Sequence, residues 1–336
     1  MFHQKIVVLG TGGTIAGLAL AGQSPGSYVS ALLQIDDLIQ DLPVSERTPS
    51  ESPFKLITEQ VAQLDSKDMD HVIWLQLAER VKHWLGDASV KGVVITHGTD
   101  TLEETAFFLH AVLHSDGVLG KPVVLTGAMR PANALDSDGP RNLRDALSVA
   151  ADPLAAGVLV VFAGAVHHPM SVQKIHPTRI DAFDSGQAGA IAQLHGSTVI
   201  WNEIVPLAHV INAPSATDLI AFGHAQDWPW VAVVTSHAGV DEAYVDALVA
   251  YGVRGLVVAG TGNCTVHASL ARALLKAEEQ GLVVWRVSRC ASGALTSQEV
   301  APEVAQDGSG FKVAVGLSAT KARIALMLYL IRQGRN

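Results

Sequence analysis

The stretch Lys5-Ile-Val-Val-Leu-Gly-Thr-Gly-Gly-Thr-Ile-Ala-Gly17 decides the fold. Ile6 to Leu9 is a short, continuous apolar run rich in β-branched residues and closed by glycine, the pattern of a strand buried on both faces in a parallel sheet. Gly10, Gly12 and Gly13 let the chain turn sharply and leave the backbone open to close approach. Thr14 follows at the carboxyl end of the strand, where ligands bind in open α/β sheets. The turn also reads as a plain glycine-rich connection, common to many α/β proteins.

Gly92-Val-Val-Ile-Thr-His-Gly-Thr-Asp-Thr101 repeats this design, and Leu102 to Leu113 then reads as a helix. Glu103 and Glu104 in its first turn suit the helix dipole. Between the two copies the pattern predicts a helix near Ser30–Gln40, a strand at Phe54–Ile57, a polar turn over Gln63–Asp70 and a helix over His71–Trp84. Strands follow at Val123–Thr126 and Val158–Phe162, with a helix over Asn142–Ala151 between them. Asp181–Gly196 reads as irregular. The strand–helix rhythm lapses over 201–228 and resumes at Val231, so we expect domains at 1–200 and 229–336 joined by that linker. Alternating strands and helices imply mainly parallel sheets with helices on their faces, the α/β class.

A chain of 336 residues is long enough for two domains, and 49% hydrophobic against 16% charged residues supplies large cores. The net charge of -9 argues against a nucleic-acid partner or an anionic membrane surface. No apolar run reaches the ~18 residues of a membrane span. Cys264 and Cys290 form neither a disulfide framework nor a zinc signature. With no signal peptide evident before the first strand, this favours a cytoplasmic protein.

Familiar chemistries fail one by one. Position 15 is Ile, which breaks a dinucleotide fingerprint opening at Gly10. The chain has no P-loop, and Gly22-Gln-Ser-Pro-Gly26 falls in a loop of small residues instead of a strand-to-helix turn, so it makes no nucleophile elbow. His110 and His114 stand one helical turn apart but lack a third metal ligand within reach, and Cys264 beside His267 is a weak nucleophile pattern. No metal or cofactor is expected. Thr14, Tyr28, Ser66, Thr99, Asp100 and Lys174 remain, set after strands. A threonine hydroxyl becomes nucleophilic once a neighbour removes its proton, and Thr99, Asp100 and Lys174 could form the relay. Each residue also has a plain reading: Ser66 and Asp68 as helix caps, Asp100 as the cap of the helix near Leu102, Lys174 as a surface lysine. The loop Gly17–Tyr28, small and glycine-bearing, reads as a lid.

Thr11-Gly-Gly-Thr-Ile-Ala-Gly17 and Thr96-His-Gly-Thr-Asp-Thr-Leu-Glu-Glu-Thr105 resemble the two signature motifs of the bacterial-type L-asparaginases and glutaminase-asparaginases. The similarity continues through Asp65–Met69, Thr126–Pro131, Ser137–Pro140, Gly260–Asn263 and Lys321–Arg323, over essentially the whole chain. It implies the asparaginase-like two-domain fold and hydrolysis of the L-asparagine side-chain amide to aspartate and ammonia through a threonine acyl-enzyme. Substantial glutaminase activity or a non-catalytic amino-acid-binding role are the alternatives. It further implies Thr14 as nucleophile with Tyr28 touching it, and Thr99, Asp100 and Lys174 as a second triad. Ser66 and Asp100 would hold the substrate's α-carboxylate and α-ammonium. Asn263 and Glu299 (with Glu303 as fallback) would reach a neighbouring subunit's site in a homotetramer built from intimate dimers. A carboxylate beside Lys174 favours its charged form, which opposes its action as a base. Lys67 stands where many secreted relatives carry glutamine.

Overall fold

The computed structural model describes residues 4–20, 28–42, 54–202, 213–293 and 311–334. The chain divides into two compact units, Met1–Val210 with Ser215–Thr217, and Ile211–Pro214 with Asp218–Asn336.

In the first unit the described strands are β1 (Gln4–Gly12), β2 (Leu18–Ala19), β3 (Tyr28–Val29), β4 (Phe54–Leu64), β5 (Val90–Thr96), β6 (Pro122–Thr126), β7 (Gly157–Phe162), β8 (Ala165–His167), β9 (Gln173–Lys174), β10 (Phe183–Asp184), β11 (Ala192–His195) and β12 (Thr198–Trp201). The helices are α1 (Ile35–Gln40), α2 (His71–Gly86), α3 (Leu102–Ser115) and α4 (Gly139–Ala151). One sheet runs β12-β11-β8-β7-β6-β5-β1-β4. It is parallel from β4 through β1, β5 and β6 to β7, and antiparallel from there outward. The central strands are buried along nearly their whole length. That is why they are continuous apolar runs.

Side chains alternate across a strand, so each strand feeds two cores. Ile6, Val8, Val94, Val124, Leu159 and Val161 share one cluster with Ile35 and Leu38 of α1 and Leu143, Ala146 and Val149 of α4. No residue of α2 or α3 belongs to that cluster; these helices pack on β5 and β7, on the opposite face. Each helix start has a local cause: the Asp70 side chain caps α2 by accepting from Ile73 N, and Pro140 stands in the first turn of α4.

In the second unit β13 (Val231–Thr235), β14 (Gly255–Gly260), β15 (Val283–Ser288) and β16 (Lys312–Val313) form a fully parallel sheet. It is accompanied by α6 (Ala243–Ala250), α7 (Ala268–Glu279) and α8 (Ala319–Arg332); α5 (Ala216–Phe222) precedes them. Val245, Leu270 and Leu274 pack with Val234, Leu256 and Val258. On the other face α8 presses so close to β14 that a Cβ on Gly255 would lie 3.0 Å from Leu326 Cδ2. No helix among the described residues is long and apolar enough to cross a membrane.

The structure corrects four expectations. The helix near Ser30–Gln40 begins only at Ile35, because Ala31, Leu32 and Leu33 spend their N–H groups on Gly13 and Ala16 carbonyls. The strand at Phe54 runs to Leu64, since polar side chains are tolerated on an edge strand. Asp181–Gly196 contains β10 and β11, and 201–228 contains α5.

Candidate active site

The site grows from the carboxyl ends of three adjacent strands, β4, β1 and β5. Gly12 and Gly13 leave β1 with φ of 97° and 80°, the left-handed region that a side chain disfavours. Contact forbids a side chain at Gly13 as well: its Cβ would lie 2.3 Å from Gly98 Cα, in the turn after β5. A Cβ on Gly98 would in turn lie 2.4 Å from Ser66 Oγ, in the turn after β4. Three turns are thus nested through two glycines, and Thr14, Ser66, Thr99 and Asp100 gather around them.

Thr14 sits in a single 3-10 turn, Thr14–Ala16, and is buried. Its Oγ1 is 2.9 Å from the Tyr28 hydroxyl. Lys174, on β9, donates from Nζ to Thr99 Oγ1 at 2.8 Å and to Asp100 Oδ1 at 2.7 Å. Because the ammonium donates to Thr99, the Thr99 hydroxyl hydrogen is free for another acceptor. Ser66 Oγ accepts from Asp100 N at 3.2 Å, and Thr101 Oγ1 donates to the Ser66 carbonyl at 2.7 Å. The capping alternatives fail: Asp65 and Asp70 cap the elements at Ser66 and His71, and Asp100 spends its carboxylate on Lys174. Lys174 is no free surface lysine.

Four supporting residues escape a reading of the sequence. The Glu103 carboxylate accepts from Lys174 N and so ties β9 to α3; its place in a helix's first turn disguised this as a dipole effect. Asp138 accepts from the backbone N–H groups of Met129 and Arg130 and folds the loop after β6. Asn133 clasps Ala19. His97 lies fully buried beneath the turn, and burial pushes its imidazole down to about 4, so the ring is neutral at pH 7. The Gly98 carbonyl, 2.7 Å from Nδ1, can only accept. Nδ1 therefore carries the hydrogen, Nε2 accepts from the Thr105 hydroxyl at 2.9 Å, and that hydroxyl accepts the Trp74 indole N–H at 2.9 Å.

These buried histidines predict an acid limit. Burial lowers His97 and His167 to about 4 and, helped by His168 and His114, His110 to about 3. Each folded pKa lies below the unfolded value of ~6.5, so the unfolded chain binds the extra protons. Stability is thus full above pH ~6.5 and falls toward pH ~4, by on the order of 3 kcal/mol for each of His97 and His167. Urea midpoints measured from pH 8 to 4 should be flat and then drop; a flat profile down to pH 4 would contradict this.

Other candidates separate from the site. Cys264 is buried and its thiol is pushed up to about 11 by that burial, while His267 Nδ1 accepts from Ser269 N and caps α7. Neither is poised for nucleophilic chemistry. Among the described residues no cluster of His, Cys, Asp or Glu is arranged to hold a metal, and His110 and His114 stack with ring centroids 6.0 Å apart. Asn263 lies in the second unit, in a tight turn closed by mutual backbone bonds between Thr261 and Thr265 at 2.9 Å. Glu299, Glu303 and 21–27 of the proposed lid lie outside the described residues.

The family profile "Asparaginase, N-terminal" matches residues 5–206, and "Glutaminase/Asparaginase C-terminal domain" matches residues 230–336. The chain is 36% identical over 330 residues to a probable periplasmic L-asparaginase of Haemophilus influenzae, covering 97% of this chain and 88% of that one. It is 34% identical to a glutaminase-asparaginase of Acinetobacter glutaminasificans, covering 98% and 95%. Its structure is similar to the crystal structure of a probable cytoplasmic L-asparaginase from Campylobacter jejuni, with TM-score 0.84, 33% identity and coverage of 99% and 98%.

Proposed function

Given that the chain belongs to the asparaginase family and hydrolyses L-asparagine to L-aspartate and ammonia, we propose that Thr14 is the nucleophile and that Thr99, Asp100 and Lys174 form the second reactive group. Thr14 Oγ1 attacks the side-chain amide carbon and gives up its proton. The C–N bond breaks, ammonia leaves with the proton it needs, and an ester to Thr14 remains. Water then hydrolyses that ester and returns the hydroxyl. Tyr28, at 2.9 Å, is the hydroxyl placed to exchange a hydrogen with Oγ1. Lys174 orients Thr99 and offsets charge developing on it. Ser66 and Asp100 receive the α-carboxylate and α-ammonium. The observation that carries this reading is the nesting of Gly13, Gly98 and Ser66, which sets a buried hydroxyl and a lysine-bound hydroxyl at the ends of neighbouring strands.

Ammonia release from L-asparagine, L-glutamine and succinamic acid, measured side by side, tests the substrate assignment. Preference for L-asparagine is expected. Asp100→Asn should lose roughly 10- to 100-fold on L-asparagine, as a charged hydrogen bond is worth, and much less on succinamic acid, which lacks the α-ammonium. Equal losses on both would assign Asp100 to proton transfer instead.

Asn263 and Glu299 complete a neighbouring subunit's site in the assembly we propose, a homotetramer of intimate dimers, with the first domain carrying the nucleophile. The place of Asn263 in the Thr261–Thr265 turn, directly after the carboxyl end of β14, supports this; sedimentation as a fully active monomer would overturn it. Free thiols at Cys264 and Cys290 support a cytoplasmic location, and recovery from the periplasm would refute it.

A further inference from the structure

The ribbon that carries Tyr28 is bordered by residues far downstream of it, Ala132 and Asn133 in the loop after β6. β3 is only two residues long, and it pairs antiparallel with the two-residue β2, Leu18 opposite Val29 and Ala19 opposite Tyr28. A ribbon this short is marginal by itself. Its other edge is not left open. Ala132 N donates to the Gly17 carbonyl at 2.8 Å. The Asn133 side chain then takes both backbone groups of Ala19: Oδ1 accepts from Ala19 N at 2.7 Å and Nδ2 donates to the Ala19 carbonyl at 3.1 Å. Backbone groups of alternate residues in a strand face opposite edges. Gly17 and Ala19 therefore face residues 132–133, and Leu18 faces Val29. The primary amide of Asn133 stands in for one peptide of a third strand.

The platform behind Asn133 is firm. Asp138 accepts from Met129 N at 3.0 Å and from Arg130 N at 2.9 Å, and Asn142 Nδ2 donates to the same carboxylate at 3.2 Å. At the other end of the ribbon, Gly17 leaves room for the Tyr28 ring: a Cβ there would lie 3.1 Å from Tyr28 Cδ2. The ring then carries its hydroxyl to 2.9 Å from Thr14 Oγ1.

We propose that Asn133 is a positioning residue, a side-chain clasp that holds β2 and β3 in register and so keeps the Tyr28 hydroxyl on Thr14. The proposal rests on the assignment of Tyr28 and Thr14 above. Asn133 touches neither of them. It acts through Ala19, and only an amide supplies one donor and one acceptor at this spacing.

The test uses the full-length protein with Asn133→Ala, and Asn133→Gln, which retains the amide, as the conservative comparison. Asn133 is solvent-exposed, so folding is expected to survive; Asn133→Ser serves should the alanine variant fail to express. In Asn133→Ala, amide exchange should accelerate at Leu18–Ala19 and at Tyr28–Val29, with exchange in β5 and β6 unchanged. kcat should fall roughly tenfold, less than the ~10² that a 1 Å misplacement of a reacting group costs, and Asn133→Gln should restore part of it. In a Tyr28→Phe background the same substitution should change kcat less than twofold, since the hydroxyl it positions is gone. Unchanged exchange at Tyr28–Val29 overturns the clasp. So does an equal fold-loss of kcat in both backgrounds, which would make Asn133 act by another route. A fully active Tyr28→Phe enzyme would refute the role given to Tyr28, while exchange, which needs no turnover, would still decide the clasp.

Discussion

Thr14→Ala leaves a folded protein that binds L-aspartate and releases no ammonia from L-asparagine. The expected loss is on the order of 10⁴-fold or more, the scale seen when a nucleophile is removed outright. Folding survives because little else depends on that hydroxyl. Its side chain is buried, but its hydrogen bond goes to Tyr28, and losing one such bond costs about 1 kcal/mol. The backbone of the turn is held independently, by Gly17 N donating to the Thr14 carbonyl at 2.8 Å and Gly13 N to the Leu64 carbonyl at 2.9 Å. Thr14→Ser should keep part of the activity, since the attacking oxygen stays; the missing methyl group loosens its rotamer. Ammonia release and aspartate binding on the purified variants check both statements. Near-normal turnover by Thr14→Ala would transfer the nucleophile's role elsewhere.

The next largest effects are expected at Thr99 and Lys174. Thr99→Val removes the hydroxyl and keeps the shape; Lys174→Met removes the ammonium and keeps the length. Each should lower kcat by roughly 10²–10⁴, the worth of a positioned proton-transfer group. The double variant should be little slower than the worse single one, because Nζ at 2.8 Å from Thr99 Oγ1 makes the two a single unit. Lys174→Met also leaves the Asp100 carboxylate without its cation. Part of its effect should therefore appear as a raised KM, which Thr99→Val does not share. Fully additive losses in kcat would mean that the two groups act separately.

The sequence alone determined the elements whose causes are local. Ile6–Leu9, Val93–Ile95 and Val158–Phe162 are strands because an apolar run next to glycine has few other options in water. Ser318 and Gln333 bracket α8 as its caps, the Ser318 side chain accepting from Lys321 N. Thr14 and Thr99 were legible as candidates for the same reason: each follows a legible strand, and position at a strand's end is itself a local property. The resemblance of their motifs then joined them to one reaction.

Only the tertiary structure decided what depends on partners far along the chain. β4 runs to Leu64 through Thr58, Glu59 and Gln60, residues that resemble no buried strand, because pairing with β1 satisfies their backbone. Lys174 lies 75 residues from Thr99; the resemblance names it and the sequence also allows a plain surface lysine, and it is the hairpin with β10 and the Glu103 carboxylate that hold it in place. Asn133 and Ala19 are 114 residues apart. His97 carries no local sign of its role, and is a neutral strut because distant elements close over it. The physical reason is common to all four: a strand or cap is selected by neighbours within a few residues, whereas a charge, a tautomer or an edge hydrogen bond is selected by whichever distant group burial brings within 3 Å.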